Sequence, residues 1–206
     1  DALQMAMPVL VKLGNLYNDS SYFKRMYEMY AFTKYKHGGK GLYNTTEKLW
    51  WRDKDFVPPY KEPNGDDCYW SRGNGWVVAA LVKTLEALPK SDPHYNEYLQ
   101  DFKDMCAALL PLQPTDGYWN VSLNDANHFG GKEVSGTSLF IYGFAWGINN
   151  GILEKKTYKT AIAKAWKAIG GCGQGCGEVQ KVQGAGELVA QWQGEYAAAK
   201  KRLLGA

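Results

Sequence analysis

Residues 76–82 read WVVAALV, and residues 139–148 read LFIYGFAWGI. Both runs are apolar nearly all the way round a helix, which is typical of helices buried on every side. Each run follows a loop that contains tryptophan, and each precedes an amphipathic segment, at residues 93–110 and 155–169. The sequence therefore predicts a repeat of loop, buried inner helix and outer helix, with a period of roughly 60 residues.

A third pair of helices is predicted before these two. Apolar residues at helical spacing run through residues 3–16 and again through residues 22–31, and the break at residues 18–20 can cap the second helix. Stacked helical hairpins of this kind form all-α toroids. Because three hairpins are too few to close a ring, we expect a single but incomplete catalytic domain over residues 1–206, with its N-terminal part missing.

The composition is that of an ordinary globular protein. Hydrophobic residues make up 45% and charged residues 22%, and the formal net charge is +3. Lysines are scattered among acidic residues, so we expect no nucleic-acid partner. No apolar run is long enough to span a membrane, so we expect no membrane partner. The 8 Trp and 14 Tyr are many for this length. Their flat faces with polar edges suit sugar rings, although they also suit a helical core.

The four cysteines are too few and too unevenly placed for a disulfide framework; they are Cys68, Cys106, Cys172 and Cys176. Cys172 and Cys176 could hold a metal only with two further ligands, and no suitable side chains lie nearby in the sequence. We therefore predict no metal site. The tail at residues 170–206 begins close to low complexity and indicates no function.

Residues 37–74 form a long irregular segment rich in Gly, Pro, charge and aromatic clusters, which is typical of a functional loop. At its end, residues 70–76 read WSRGNGW. Trp70 and Trp76 flank Arg72, with two glycines that we place just before a helix. An arginine at a helix N-terminus can bind a carboxylate through two parallel hydrogen bonds, beside a surface on which a sugar ring stacks. A uronic acid fits both features, and a glycine turn with packed tryptophans is the equal alternative.

Five motifs, read in order, resemble those of glycoside hydrolase family 105, the unsaturated rhamnogalacturonyl hydrolases, which are related to the unsaturated glucuronyl hydrolases of family 88. They are DALQMAMPVL at residues 1–10, WSRGNGW at 70–76, DGYW at 116–119, EVSGT at 133–137 and AWGINNGIL at 145–153. The resemblance spans residues 1 to about 169, and the tail keeps only a trace of it at residues 179–182. It implies an (α/α)6 barrel.

The resemblance also implies an activity: release of a terminal 4,5-unsaturated galacturonic acid from rhamnogalacturonan (pectin) oligosaccharides, with no metal or organic cofactor. Catalysis in this family begins with hydration of the C4=C5 enol ether. An aspartic acid gives a proton to C4 and activates the water that adds at C5, after which the hemiketal opens and the glycosidic bond breaks. The matching acid is Asp1, which would need a raised pKa supplied by an apolar wall.

Substrate contacts implied by the resemblance are Trp70, Arg72 and Trp76. Arg52 stands where better-known members have a histidine, and it could contact a carboxylate but could not share a proton in the same way. From the residues themselves, His128 could face the pocket. Glu133, at a junction between loop and helix, is expected to cap the helix or anchor a hydrogen bond.

Two other functions stay open at this point. One is a different (α/α)6 sugar enzyme, such as an epimerase or a conventional glycosidase, which would need a histidine pair or a second catalytic carboxylate. The other is a non-catalytic sugar-binding relative, which would fit the absence of the family's upstream aspartate and of its histidine. The oligomeric state stays open, as does the compartment, cytoplasm or periplasm of a bacterium.

Overall fold

The computed structural model describes residues 1–170. Their helices and strands, in chain order, are α1 (Ala2–Tyr17), α2 (Ser21–Tyr35), a 3-10 helix (His37–Gly39), β1 (Tyr43–Asn44), β2 (Leu49–Trp50), α3 (Ser71–Ala87), α4 (Tyr95–Leu109), a second 3-10 helix (Leu110–Leu112), α5 (Val134–Asn149) and α6 (Lys155–Ile169). The predicted tail, with Cys172 and Cys176, lies outside the described residues.

The six helices form three antiparallel hairpins, as predicted. Helix α3 packs between α1 and α5, so these three form an inner layer, and each packs against its sequence partner α2, α4 or α6. The residues of α3 from Val77 to Val82 are all buried. One apolar core runs through all three hairpins and includes Met7, Leu81 and Phe144. No helix within residues 1–170 combines the length and hydropathy needed to cross a membrane.

Both apolar inner helices begin earlier than the sequence predicts, α3 at Ser71 and α5 at Val134. The prediction that Gly73 and Gly75 precede the helix is therefore wrong. A Cβ atom on Gly75 would lie 2.9 Å from the Cβ of Leu139, and one on Gly136 would lie 2.9 Å from the backbone carbon of Ser71. Glycine is needed here because α3 and α5 approach each other closely, and no turn is involved.

The segment between α2 and α3 carries a small antiparallel hairpin, in which Tyr43 pairs with Trp50 and Asn44 with Leu49. The fully buried Asn74 holds this hairpin against α3. Its Oδ1 accepts a hydrogen bond from the Trp50 backbone N–H at 2.9 Å, and its Nδ2 donates to the Trp50 carbonyl at 3.0 Å. The asparagine of the WSRGNGW motif thus fixes the position of the hairpin, and with it the position of residues 51 and 52, which follow β2.

Replacing Asn74 with alanine should lower the free energy of unfolding by about 1–3 kcal/mol, because both backbone groups of Trp50 lose a buried partner. Urea denaturation followed by tryptophan fluorescence measures this loss. Asn15 offers a control on the surface, where its side chain donates to the Ala87 carbonyl. A loss in Asn74→Ala no larger than in Asn15→Ala would contradict the role given to Asn74.

Candidate active site

Two adjoining cavities lie where the long loops meet the inner helices. The Asp1 cavity measures about 530 Å³ and is lined by Asp1, Trp50, Trp51, Arg52, Asp53 and Trp70, together with Ala2, Leu3, Thr33, His37, Leu42, Gly73 and Val77. The Arg72 cavity measures about 220 Å³ and is lined by Arg52, Phe56, Cys68, Trp70, Arg72, Val121, Ser122 and Phe129. Arg52 and Trp70 belong to both, so the cavities share a wall.

Arg72 lies in the first turn of α3, two residues after Trp70 at the N-cap. Its guanidinium carbon is 4.4 Å from the centre of a Trp70 ring, and its Nη1 is 3.5 Å from Oε2 of Glu133. The stacking fixes the plane of the guanidinium, and the ion pair fixes its direction. The arginine side chain is 42% exposed, so the cavity still has access to its other donors.

Glu133 serves as the N-cap of α5, as the sequence predicts. Its Oε1 accepts hydrogen bonds from the Ser135 backbone N–H at 3.3 Å and from the Ser135 hydroxyl. The other oxygen faces Arg72. One carboxylate therefore caps α5 and orients the arginine on α3, which couples the motif at residues 133–137 to the motif at residues 70–76.

Arg52 is the second guanidinium at this wall. Its Nε donates to Oδ2 of Asp53 at 2.7 Å, and its guanidinium carbon lies 4.2 Å from the centre of the Phe56 ring. Asp53 also accepts the Asp55 backbone N–H at 2.9 Å. Burial acts to raise the pKa of Asp53, but the bonds from Arg52 and Asp55 outweigh it and lower that pKa. Asp53 therefore stays ionised at neutral pH.

Asp1 lies at the N-cap of α1, where its backbone carbonyl accepts the Met5 N–H at 3.1 Å. Its side chain makes no capping hydrogen bond, so the carboxyl group is not used to cap the helix. The aromatic residues Trp50, Trp51 and Trp70 line the same cavity. Asp1 is exposed and lies beside this aromatic wall.

Two predicted substrate contacts lie elsewhere. Trp76 is half-buried in the second turn of α3 and is not among the residues lining the two cavities. His128 stacks on Phe129, with ring centroids 3.9 Å apart, and its Nδ1 lies 3.4 Å from Oε1 of Glu62. It is Phe129, not His128, that lines the Arg72 cavity.

Other wall residues were not predicted from the sequence. Phe56, Ser122 and Phe129 come from irregular segments without periodicity, so no pattern marks them. Cys68 also lies at the wall, and burial, followed by the neighbouring Glu62, raises the pKa of its thiol to about 12. The thiol is therefore protonated at neutral pH and is not a nucleophile.

Comparison with known proteins confirms the resemblance seen in the motifs. The family model of Glycosyl Hydrolase Family 88 matches residues 1–190. An "Unsaturated 3S-rhamnoglycuronyl hydrolase" of Formosa agariphila is 39% identical over 191 residues, which cover 90% of this chain and 49% of that relative. The chain thus spans about half the length of the curated relatives it matches.

Two solved structures extend the comparison. A "Glycosyl hydrolase family 88" protein from Bacteroides vulgatus is 37% identical with a TM-score of 0.78, and the match covers 83% of this chain and 48% of that chain. A possible member of family GH105 from Salmonella enterica is 25% identical with a TM-score of 0.64, covering 82% and 42%. The three hairpins are thus part of an (α/α)6 barrel, as predicted.

Proposed function

Because the chain belongs to glycosyl hydrolase family 88, we propose that the protein removes a terminal 4,5-unsaturated uronic acid from an oligosaccharide by hydrating its C4=C5 bond. The observation that carries the proposal is the shared wall of Trp70 and Arg52, with Asp1 on one side and Arg72 on the other. This wall offers a stacking surface, an acid and two guanidinium groups to one anionic sugar ring.

In the proposed mechanism, the ring stacks on Trp70 and its carboxylate pairs with Arg72. Arg72 suits this role because a charge-assisted hydrogen bond to a planar carboxylate is strong and directional. Asp1 gives its proton to C4 and then, as a carboxylate, takes a proton from the water that adds at C5. The product of hydration is a hemiketal, whose ring opens to a ketone at C5 and leaves a hemiacetal at C1. The hemiacetal collapses to an aldehyde, which breaks the glycosidic bond and releases the neighbouring sugar as an alcohol.

The substrate we propose is an unsaturated galacturonyl-rhamnose disaccharide. The name of the Formosa agariphila relative, a rhamnoglycuronyl hydrolase, supports a uronate joined to rhamnose. Galacturonate and glucuronate differ only at C4, which is no longer a stereocentre once the C4=C5 bond forms. The two therefore give the same unsaturated residue, and substrates are distinguished by the linkage to rhamnose, which we propose to be α.

A panel of disaccharides tests this proposal. Unsaturated uronyl-rhamnose with an α linkage, its β-linked isomer and their saturated counterparts are incubated with the protein, and products are followed by mass spectrometry. We expect release of rhamnose from the unsaturated substrates alone, fastest from the α-linked one. Cleavage of a saturated disaccharide would identify a conventional glycosidase. Formation of a new stereoisomer would identify an epimerase, and binding without turnover would identify a non-catalytic relative.

Replacing Arg72 with alanine should raise KM by about 10- to 150-fold, which corresponds to about 1.5–3 kcal/mol for hydrogen bonds to a charged group. The change also leaves Glu133 without its guanidinium partner, which adds repulsion toward the uronate. Arg25→Ala is the matched control, because Arg25 is exposed on α2 and pairs only with Glu28 among the described residues. If both variants keep the parent KM, Arg72 does not bind the carboxylate.

A further inference from the structure

Three potential metal ligands converge behind the wall of the Arg72 cavity. They are a carboxylate oxygen of Glu62, the Cys68 sulfur and a ring nitrogen of His128, all within 4.8 Å of one another. Glu62 and Cys68 belong to the segment before α3, and His128 belongs to the loop before α5. The cluster cannot be recognised from the sequence, because His128 lies 60 residues after Cys68 and the three residues follow no metal-binding spacing.

Two buried atoms of the cluster lack a hydrogen bond within residues 1–170. Glu62 is 3% exposed, and its Oε2 has no partner. Nδ1 of His128 is buried too and lies 3.4 Å from Oε1 of Glu62 without forming a hydrogen bond. Unsatisfied buried acceptors and donors cost free energy, so two in one place are unusual. A cation bound to Nδ1 of His128 and to the carboxylate of Glu62 would satisfy both.

One separation in the cluster, between Nδ1 of His128 and Oε1 of Glu62, fits a tetrahedral ion. Ligands at 2.0–2.3 Å from a tetrahedral centre are separated by about 3.3–3.6 Å, close to the 3.4 Å between His128 and Glu62. The Ser122 hydroxyl donates to Oε1 of Glu62, which orients the carboxylate. Cys68 and Ser122 line the Arg72 cavity, so cavity water can supply a fourth ligand.

We propose that Glu62, Cys68 and His128 form a zinc site that ties together the two loops of the Arg72 cavity. Thiolate with imidazole selects zinc over calcium or magnesium, which prefer oxygen ligands. The loops already meet through backbone hydrogen bonds from Leu123 to Tyr69 and from Ser71 to Val121, both at 2.9 Å. Bound zinc displaces the thiol proton of Cys68 and adds a cross-link beside these bonds.

Zinc titration tests the proposal in the variant Cys172→Ser/Cys176→Ser, which removes the two tail thiols as competing ligands. Competition against a chromophoric chelator should show one equivalent of Zn²⁺ bound with a dissociation constant at or below about 1 μM. Co²⁺ in place of zinc should give the thiolate-to-cobalt charge-transfer absorption of a sulfur ligand. Absence of stoichiometric binding, or of that absorption, would overturn the proposal.

Single substitutions of the proposed ligands, made in the Cys172→Ser/Cys176→Ser protein, then test which residues bind zinc. Cys68→Ser and His128→Gln should each weaken zinc binding by at least about 100-fold, whereas His94→Gln should leave it unchanged. Circular dichroism verifies that each variant is folded. If a variant is unfolded, the Co²⁺ spectrum of the background protein still shows whether a cysteine sulfur binds the metal. Affinity that survives both ligand changes would overturn the proposal, as would binding that needs Cys172 or Cys176.

Discussion

Replacing Lys34 with methionine should lower the free energy of unfolding by about 3–5 kcal/mol. Lys34 is only 4% exposed, and its Nζ lies 2.5 Å from Oδ2 of Asp101 and 2.9 Å from Oε1 of Glu97. The Tyr30 hydroxyl also donates to Asp101, at 2.6 Å. This cluster joins α2 to α4, and the lysine pairs with two carboxylates of the neighbouring hairpin.

The pKa directions show why the loss is large. Burial acts to lower the pKa of Lys34, yet its hydrogen bonds to Asp101, Tyr35 and Glu97 raise it overall. Burial also raises the pKa of Asp101, against the bonds from Lys34 and Tyr30. Without the ammonium group, Asp101 must either stay charged in an apolar place or take up a proton, and both cost free energy.

Urea denaturation at neutral pH measures the effect. Lys24→Met is the matched control, because Lys24 is exposed on the same helix, and its effect should stay within about 0.5 kcal/mol. The double variant Lys34→Met/Asp101→Leu should recover part of the stability, since it removes the uncompensated charge. Equal stability of Lys34→Met and Lys24→Met would show that the ion pair contributes nothing.

Replacing Asp1 with asparagine should lower kcat by about 10²–10⁴-fold, because the amide can neither give a proton to C4 nor accept one from water. KM should change little, since Arg72 and Trp70 still bind the ring. Initial rates on the unsaturated disaccharide measure both constants.

Asp53 provides a sharp control, because it is an aspartate that lines the same cavity. Its lowered pKa makes it a poor proton donor at neutral pH, and it pairs with Arg52. We therefore expect Asp53→Asn to act mainly on KM and to keep kcat within about tenfold of the parent. A larger fall of kcat in Asp53→Asn than in Asp1→Asn would transfer the acid role to Asp53.

The three hairpins could be predicted from the sequence because inner and outer helices differ in their apolar patterns. Residues 76–82 and 139–148 are apolar on all sides, and both lie in inner helices. The glycines before Trp76 were misplaced because a glycine at a helix contact and a glycine in a turn look alike in one sequence. Only the spatial approach of Leu139 distinguishes them.

The residues of the candidate site could also be predicted only in part. Asp1, Trp70 and Arg72 could be predicted, since they stand in motifs next to helix starts, and the structure places all three at the two cavities. Glu62 and Lys34 could not. Nothing in the local sequence marks either charged residue as buried, because its burial depends on side chains from a distant segment.

The central claim is that hydration of the C4=C5 bond breaks the glycosidic bond, and simultaneous measurement of two initial rates tests it most directly. Loss of the ultraviolet absorbance of the conjugated C4=C5 bond and release of the neighbouring sugar are followed in one reaction of the protein with the unsaturated disaccharide. Our account predicts that the absorbance falls at least as fast as the sugar appears. Release of the sugar with the absorbance retained would contradict it, because the bond would then break at the anomeric carbon.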